Sequence, residues 1–305
     1  MNKTTVTSHG KVILIGEHSV VYGKNAFAMP IKALQIKTTI EPLAVGNSQM
    51  ITKNYHGDFL SAPATYDGLK YIYKTLTSRL SSPPTLKITY EGEIPIERGL
   101  GSSAVVALGT TKALNEFLNL NLSKKEIMKI ANHAEMINHG KASGLDTATV
   151  NSDYLVSFSK ATGPTALKSH LGASLLIMDS GQLGNTRQAV ELVRKQLETT
   201  QDGKTRIDQL GSLANDFKKA WLSKDIFKIG DIFNQAQTIL ASFHLSTSKI
   251  DQIIEVANAS GALGTKISGG GLGGIVIALC PTKEIAQQII GKVKSNIVNY
   301  WIEEI

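Results

Sequence analysis

The stretch richest in chemistry is Gly99-Leu100-Gly101-Ser102-Ser103-Ala104. Val106, Thr110, Ala113, Leu114, Phe117 and Leu118 follow it at helical spacing, so a helix must open at Ser102 or Ser103. A helix start leaves backbone N–H groups without partners, and the aligned peptide dipoles make it electropositive. Glycines ahead of it let the backbone come close to an anion. The loop is a candidate phosphate cradle, with a serine hydroxyl placed to touch a phosphate or its metal. A glycine turn followed by an ordinary serine N-cap is the plain alternative. No Gly-Lys-Ser/Thr follows, and the glycine spacing is not that of the dinucleotide fingerprint.

Four other places carry groups that could act. Lys11 stands at the start of Val12–Ile15, a β-favouring run bounded by glycines, and Glu17-His18 lies just past its end. Such charges can be solvated strand ends, or they can face a site. Glu135 falls on the helical line through Ile127 and Ala131. A carboxylate there is costly unless a salt bridge, a buried water network or a metal meets it, or unless it lies partly exposed near the helix end. Asp146 follows a turn built on Gly140, Ser143 and Gly144, which would aim its carboxylate, although aspartate is also a common turn residue. Residues 269–274 hold five glycines in six positions. These have no packing value and cost backbone entropy, so they imply close approach of backbone to backbone or to a ligand.

The elements that must position these groups read as follows. Strands are expected at 12–15, 31–40, 86–90, 154–158, 173–178 and 275–279, from β-favouring runs or alternation. Helices are expected at 66–80, from the glycine loop to about 118, and after the capping box Ser123-Lys124-Lys125-Glu126. Further helices read at 186–197, 207–221, 226–240, 250–259 and 285–297, and residues 41–64 read as irregular. A composition shift at Ala161-Thr162-Gly163-Pro164 sets a domain boundary near residue 165.

The 305 residues suffice for two domains. The net charge of +7 is spread along the chain, with no basic run interleaved with aromatics, so no nucleic-acid partner is expected. The positive excess suits steering of small anions. No apolar run is long enough for a bilayer and no apolar signal core opens the chain, so neither a membrane partner nor export is expected. The single cysteine, Cys280, excludes an intramolecular disulfide and reads as a buried strand residue. The expected location is cytoplasmic.

Three stretches then fall in one order: GKVILIGEHSVVYG at 10–23, PIERGLGSSAVVA at 95–107 and KISGGGLGG at 266–274. Together they resemble the GHMP kinase superfamily, named for galactokinase, homoserine kinase, mevalonate kinase and phosphomevalonate kinase. The run 16–23 and the turn 139–146 are most similar to its mevalonate kinase branch. The resemblance implies an α/β (α+β, two-layer) fold. Residues 1–165 would form a ribosomal-S5-like N-terminal domain and 166–305 a ferredoxin-like C-terminal domain, with the last residues free to return to the first. ATP and substrate would lie in the cleft between. It implies that Gly99, Leu100, Gly101, Ser102, Ser103 and Ala104 wrap the ATP phosphates, and that Ser103 and Glu135 hold Mg²⁺. Asp146 would accept or orient the proton of the substrate hydroxyl, beside Lys11, which would neutralise charge on the transferred phosphoryl. Glu17 and His18 would face the substrate, mevalonate, and Gly270 and Gly271 would shape the cleft. The resemblance leaves a homodimer open. A phosphorylated acceptor would call on further cations, which Lys24, Lys32 and Lys141 could supply. A sugar kinase or a non-catalytic ATP-binding sensor of the same fold are the other readings. Three positions depart from the family pattern: His9 and Ala142 replace prolines, and Leu272 replaces a glycine.

Overall fold

The computed structural model describes residues 3–92, 94, 98–139 and 144–305. Among them are eleven strands and nine α-helices, falling into two compact units that are each discontinuous in sequence. The first unit comprises residues up to Gly10, Leu34–Ile94 and Gly101–Asn151; the second comprises Lys11–Ala33, the segment ending at Leu100, and Ser152–Ile305. Strands β1 (Thr4–Ile15) and β2 (Ala26–Pro42) contribute residues to both.

In the first unit the distal half of β2 pairs antiparallel with β5 (Leu86–Gly92), from Ile36 opposite Gly92 to Pro42 opposite Leu86. The short β3 (Gln49–Ile51) runs parallel to β5 and antiparallel to β4 (His56–Asp58). Helix α1 (Asp67–Thr77) packs on α2 (Ser102–Phe117) and α3 (Lys124–His139), and α4 (Leu145–Val150) packs on α2 and α3. Their shared core includes Ile72, Leu76, Leu108, Leu114, Ile130 and Ala134. The capping box at the start of α3 forms as its sequence requires. Ser123 N donates to Glu126 Oε2 at 2.9 Å and Glu126 N donates back to Ser123 Oγ at 3.3 Å. Gly109 lies inside α2 because a Cβ there would sit 2.8 Å from Thr38 Oγ1. Its helix penalty of about 1 kcal/mol is accepted for close contact with β2.

In the second unit the start of β2 pairs with β6 (Leu155–Ser159), which pairs with β7 (Gly163–Leu167). A separate four-stranded antiparallel sheet has the order β11-β8-β10-β9, where β8 is Ser174–Asp179, β9 Gly264–Ser268, β10 Ile275–Cys280 and β11 Asn299–Glu304. Every residue of β8, β9 and β10 is buried. Helices α5 (Thr186–Thr199) and α6 (Gly203–Ser223) lead to α7 (Ile226–Ser242) and α8 (Ser248–Ala259), and α9 (Lys283–Val293) precedes β11. Helices α7, α8 and α9 pack on the four-stranded sheet. Phe27, Phe217, Trp221 and Phe233 form an aromatic cluster, with the Phe27 and Phe217 rings 5.1 Å apart.

Several elements exceed what the residue pattern announces. β2 begins at Ala26, not Ile31, because 26–31 is buried on both faces and shows no alternation. β3 and β4 interrupt the stretch read as irregular; at three residues each they are too short to carry a period. Asp146 falls within a six-residue helix, α4, that opens at Leu145 behind Gly144. β9 ends immediately ahead of the glycine stretch, and β11 is a half-exposed edge strand without a clear period. Cys280 is buried in β10, and burial pushes its thiol up to about 12. Among the described residues no helix is long and apolar enough to cross a membrane.

Candidate active site

In the first unit the start of α2 is an open helix end. Gly101, at φ 73°, occupies the N-cap position, so neither serine caps the helix; there is no side-chain cap bond and no acidic residue in the first turn. A left-handed N-cap suits a residue without Cβ. The orphan N–H groups of Ser102, Ser103 and Ala104 therefore keep the electropositive character that favours a phosphate. Ala104, the third residue of α2, is fully buried, and its methyl has no group that binds an anion.

The Ser103 hydroxyl donates to Glu135 Oε1, and Asn138 Nδ2 donates to Ser103 Oγ at 3.3 Å. Glu135 is only 6% exposed. The carboxylate on the apolar line of α3 is thus met by a hydroxyl from α2. Asn138, one turn further along α3, was not among the candidates read from sequence. Its three-residue spacing from Glu135 puts it on the same helix face, and that was the available signal. Asp146 is the second residue of α4 and half-buried, behind Gly144 at φ 83°. Lys141 and Ala142 lie outside the described residues.

Ser103 and Glu135 are hard oxygen donors beside an electropositive helix end. They fit Mg²⁺, which takes one or two protein oxygens and completes its shell with phosphate and water. Among the described residues no group of three or more His, Cys, Asp or Glu side chains forms a preassembled cage.

In the second unit Lys11 is 3% exposed, and its backbone N donates to Leu100 O at 3.0 Å. Leu100 is itself buried, whereas Gly99 is exposed. Ser268 Oγ accepts from Ile13 N at 3.0 Å and donates to Ile13 O at 2.9 Å, fastening the first motif's strand to the end of β9. Arg98, just ahead of the loop, donates from Nη2 to Gly181 O at 3.1 Å and lies 3.6 Å from Asp179.

Glu17 and His18 both turn toward the third motif. Glu17 Oε1 accepts from the ammonium of Lys266, which is fully buried in β9 and also donates to Ile267 O at 2.6 Å. The same ammonium sits 5.8 Å from the Phe233 ring centroid. Burial holds the Lys266 pKa below the usual lysine value, and the Glu17 carboxylate opposes that shift. His18 Nε2 bonds to Gly270 O at 2.9 Å. A carbonyl only accepts, so Nε2 carries the proton. Burial lowers the His18 pKa, the Gly270 bond opposes this, and the Lys266 charge lowers it further. Lys266 is the second residue that sequence reasoning passed over. A lysine flanked by Thr265 and Ile267 ahead of a glycine run could have been read as a buried charge in need of an acid.

The glycines of 269–274 serve approach of backbone to backbone. A Cβ on Gly270 would lie 3.0 Å from Thr186 Cα, one on Gly271 2.7 Å from Leu245 O, and one on Gly274 3.2 Å from Arg98 O.

The GHMP kinases N terminal domain model matches residues 68–152, and the GHMP kinases C terminal model matches 218–299. A mevalonate kinase of Methanothermobacter thermautotrophicus is 31% identical over 281 residues, covering 92% of this chain and 91% of that protein. The crystal structure of a mevalonate kinase from methicillin-resistant Staphylococcus aureus MRSA252 is 30% identical with a TM-score of 0.79, covering 100% of this chain and 99% of that one. The Methanococcus jannaschii mevalonate kinase structure, at 23% identity, shares the fold with a TM-score of 0.87 over 100% of this chain and 99% of its own.

Proposed function

The chain belongs to the GHMP kinase family, an ATP-dependent kinase with that family's two-domain α/β fold, and from this premise we propose that it transfers the terminal phosphoryl of ATP to the 5-hydroxyl of mevalonate. The observation that carries the chemistry is the Ser103–Glu135 oxygen pair at the uncapped start of α2. The substrate follows from relatives named mevalonate kinase that are matched over nearly their whole length.

In this reading the N–H groups after Gly101 cradle the nucleotide's phosphates. Ser103 and Glu135 hold Mg²⁺, which when bound neutralises phosphate charge and orients the terminal group. Asp146 accepts or orients the proton of the attacking hydroxyl. Lys11 supplies positive charge to the transferred phosphoryl, where the transition state spreads negative charge over oxygens. Glu17 and His18 act on the acceptor side, their positions fixed by Lys266 and Gly270 O.

The placement of Lys24 supports an unphosphorylated acceptor. Its ammonium is 2.6 Å from Asp208 Oδ1 and its stem lies against Gly211, so it is already committed to an acid.

The test is ADP release measured with mevalonate, phosphomevalonate and galactose in turn. Mevalonate should be the preferred acceptor; preference for either of the others overturns the substrate, and no release with any of them overturns the enzyme. Asp146→Asn should still bind ATP but lose roughly 10²–10⁴-fold in turnover.

A further inference from the structure

The three-way contact of Ser103, Glu135 and Asn138 has a stricter geometry than a carboxylate–hydroxyl pair needs. A serine hydroxyl has one proton and two lone pairs. The proton goes to Glu135 Oε1. One lone pair receives the Asn138 Nδ2–H at 3.3 Å. That leaves one lone pair, and therefore one direction, along which Ser103 Oγ can coordinate a cation.

The amide of Asn138 is itself held. Its Oδ1 accepts the backbone N–H of Gly68, in α1, at 3.1 Å. An N–H can only be met by the amide oxygen, so Nδ2 must be the end that faces Ser103. The fit depends on Gly68 having no side chain: a Cβ there would lie 2.9 Å from Asn138 Nδ2 and 2.7 Å from Ala134 O. α1 thus fixes the amide, the amide fixes the hydroxyl, and the hydroxyl proton fixes one oxygen of Glu135.

We infer that Asn138 is a positioning residue for the divalent-cation site, setting the Ser103 hydroxyl so that a lone pair, not its proton, faces the metal. Without Asn138 the hydroxyl can rotate about Cβ–Oγ with only Glu135 to restrain it, and the metal must reorder it on binding. The inference rests on the reading that Ser103 and Glu135 hold the cation, and it deepens that reading by adding a group that never touches the metal. Outer partners that orient metal ligands commonly govern affinity in this way.

The test is binding, not turnover. Mn²⁺ is titrated into the protein with the nonhydrolysable analogue AMPPNP and followed by loss of the free Mn²⁺ paramagnetic resonance signal; AMPPNP affinity is measured separately in EDTA. Asn138→Leu should weaken Mn²⁺ binding about tenfold while changing metal-free AMPPNP affinity less than about twofold. Unchanged Mn²⁺ affinity overturns the inference. So does parallel weakening of both affinities, because that is what general loosening of α2 would produce. Should the leucine variant not fold, Asn138→Ala carries the same two titrations. Ser103→Ala and Glu135→Gln separate the two levels: if these retain wild-type Mn²⁺ affinity, the metal reading itself fails whatever Asn138 does; if they lose it, the Asn138 result stands by itself.

Discussion

Lys266 and Glu17 form an ion pair with both side chains sealed from water, at 0% and 1% exposure. They come from stretches some 250 positions apart in sequence, joined through the ammonium's bond to Glu17 Oε1. The ammonium also donates to Ile267 O and lies 5.8 Å from the Phe233 ring centroid. A pair desolvated to this degree contributes little net stability while intact, but losing one partner strands a buried charge. Lys266→Met should therefore lower unfolding free energy by about 3–5 kcal/mol in urea titrations. Adding Glu17→Leu to that variant should recover most of the loss. Equal instability of the single and double variants would show that the pair's charge is not the cause.

His18 adds a pH dependence to the same corner. Burial lowers its pKa from the ordinary 6.5, only partly opposed by the bond to Gly270 O, and the Lys266 charge adds to the lowering. The unfolded chain takes up a proton near 6.5 and the folded chain only at lower pH. The contribution is thus complete above pH 6.5 and lost as pH falls from there toward the folded pKa. Unfolding free energy should decline below that point, with a limiting slope of about 1.4 kcal/mol per pH unit from this one group. The difference between wild type and His18→Gln should shrink over that interval. Parallel curves for the two proteins from pH 7.5 to about 5.5 would remove His18 as the titrating group.

What was legible in sequence follows from where the signal is local. The helix opened by the glycine loop, the capping box before α3 and the buried run of β10 depend on neighbours within a few residues, and each formed. Glu135 stood out because its position broke an apolar stripe, and a hydroxyl meets it. Asn138 was hidden because its role depends on Gly68, which reaches it only through packing of α1 on α3. Lys266 was hidden because β9 is buried at every position and shows no period to break. The glycines at 269–274 were read correctly as a close approach, but only the fold reveals the partners: Thr186, Leu245 and Arg98.

Leu272 carries the last prediction. It stands at φ 62° in a run where Gly271, Gly273 and Gly274 also have positive φ, and its N–H is committed to Leu245 O at 2.7 Å. A left-handed conformation costs an L-residue about 1–2 kcal/mol, and a β-branched side chain more. Glycine would remove that strain, but it restores about 0.4–1 kcal/mol of unfolded-state entropy and loses the contacts of a half-buried side chain. These terms nearly cancel. Leu272→Gly should therefore unfold within about 1 kcal/mol of wild type, where loss of an ordinary half-buried leucine would cost more. Leu272→Val keeps most of the apolar surface but places a β-branched residue at positive φ, and it should be the least stable of the three. Denaturant titrations of the three proteins decide the matter: a valine variant as stable as wild type, or a glycine variant well below it, would mean that side-chain packing, not backbone strain, governs this position.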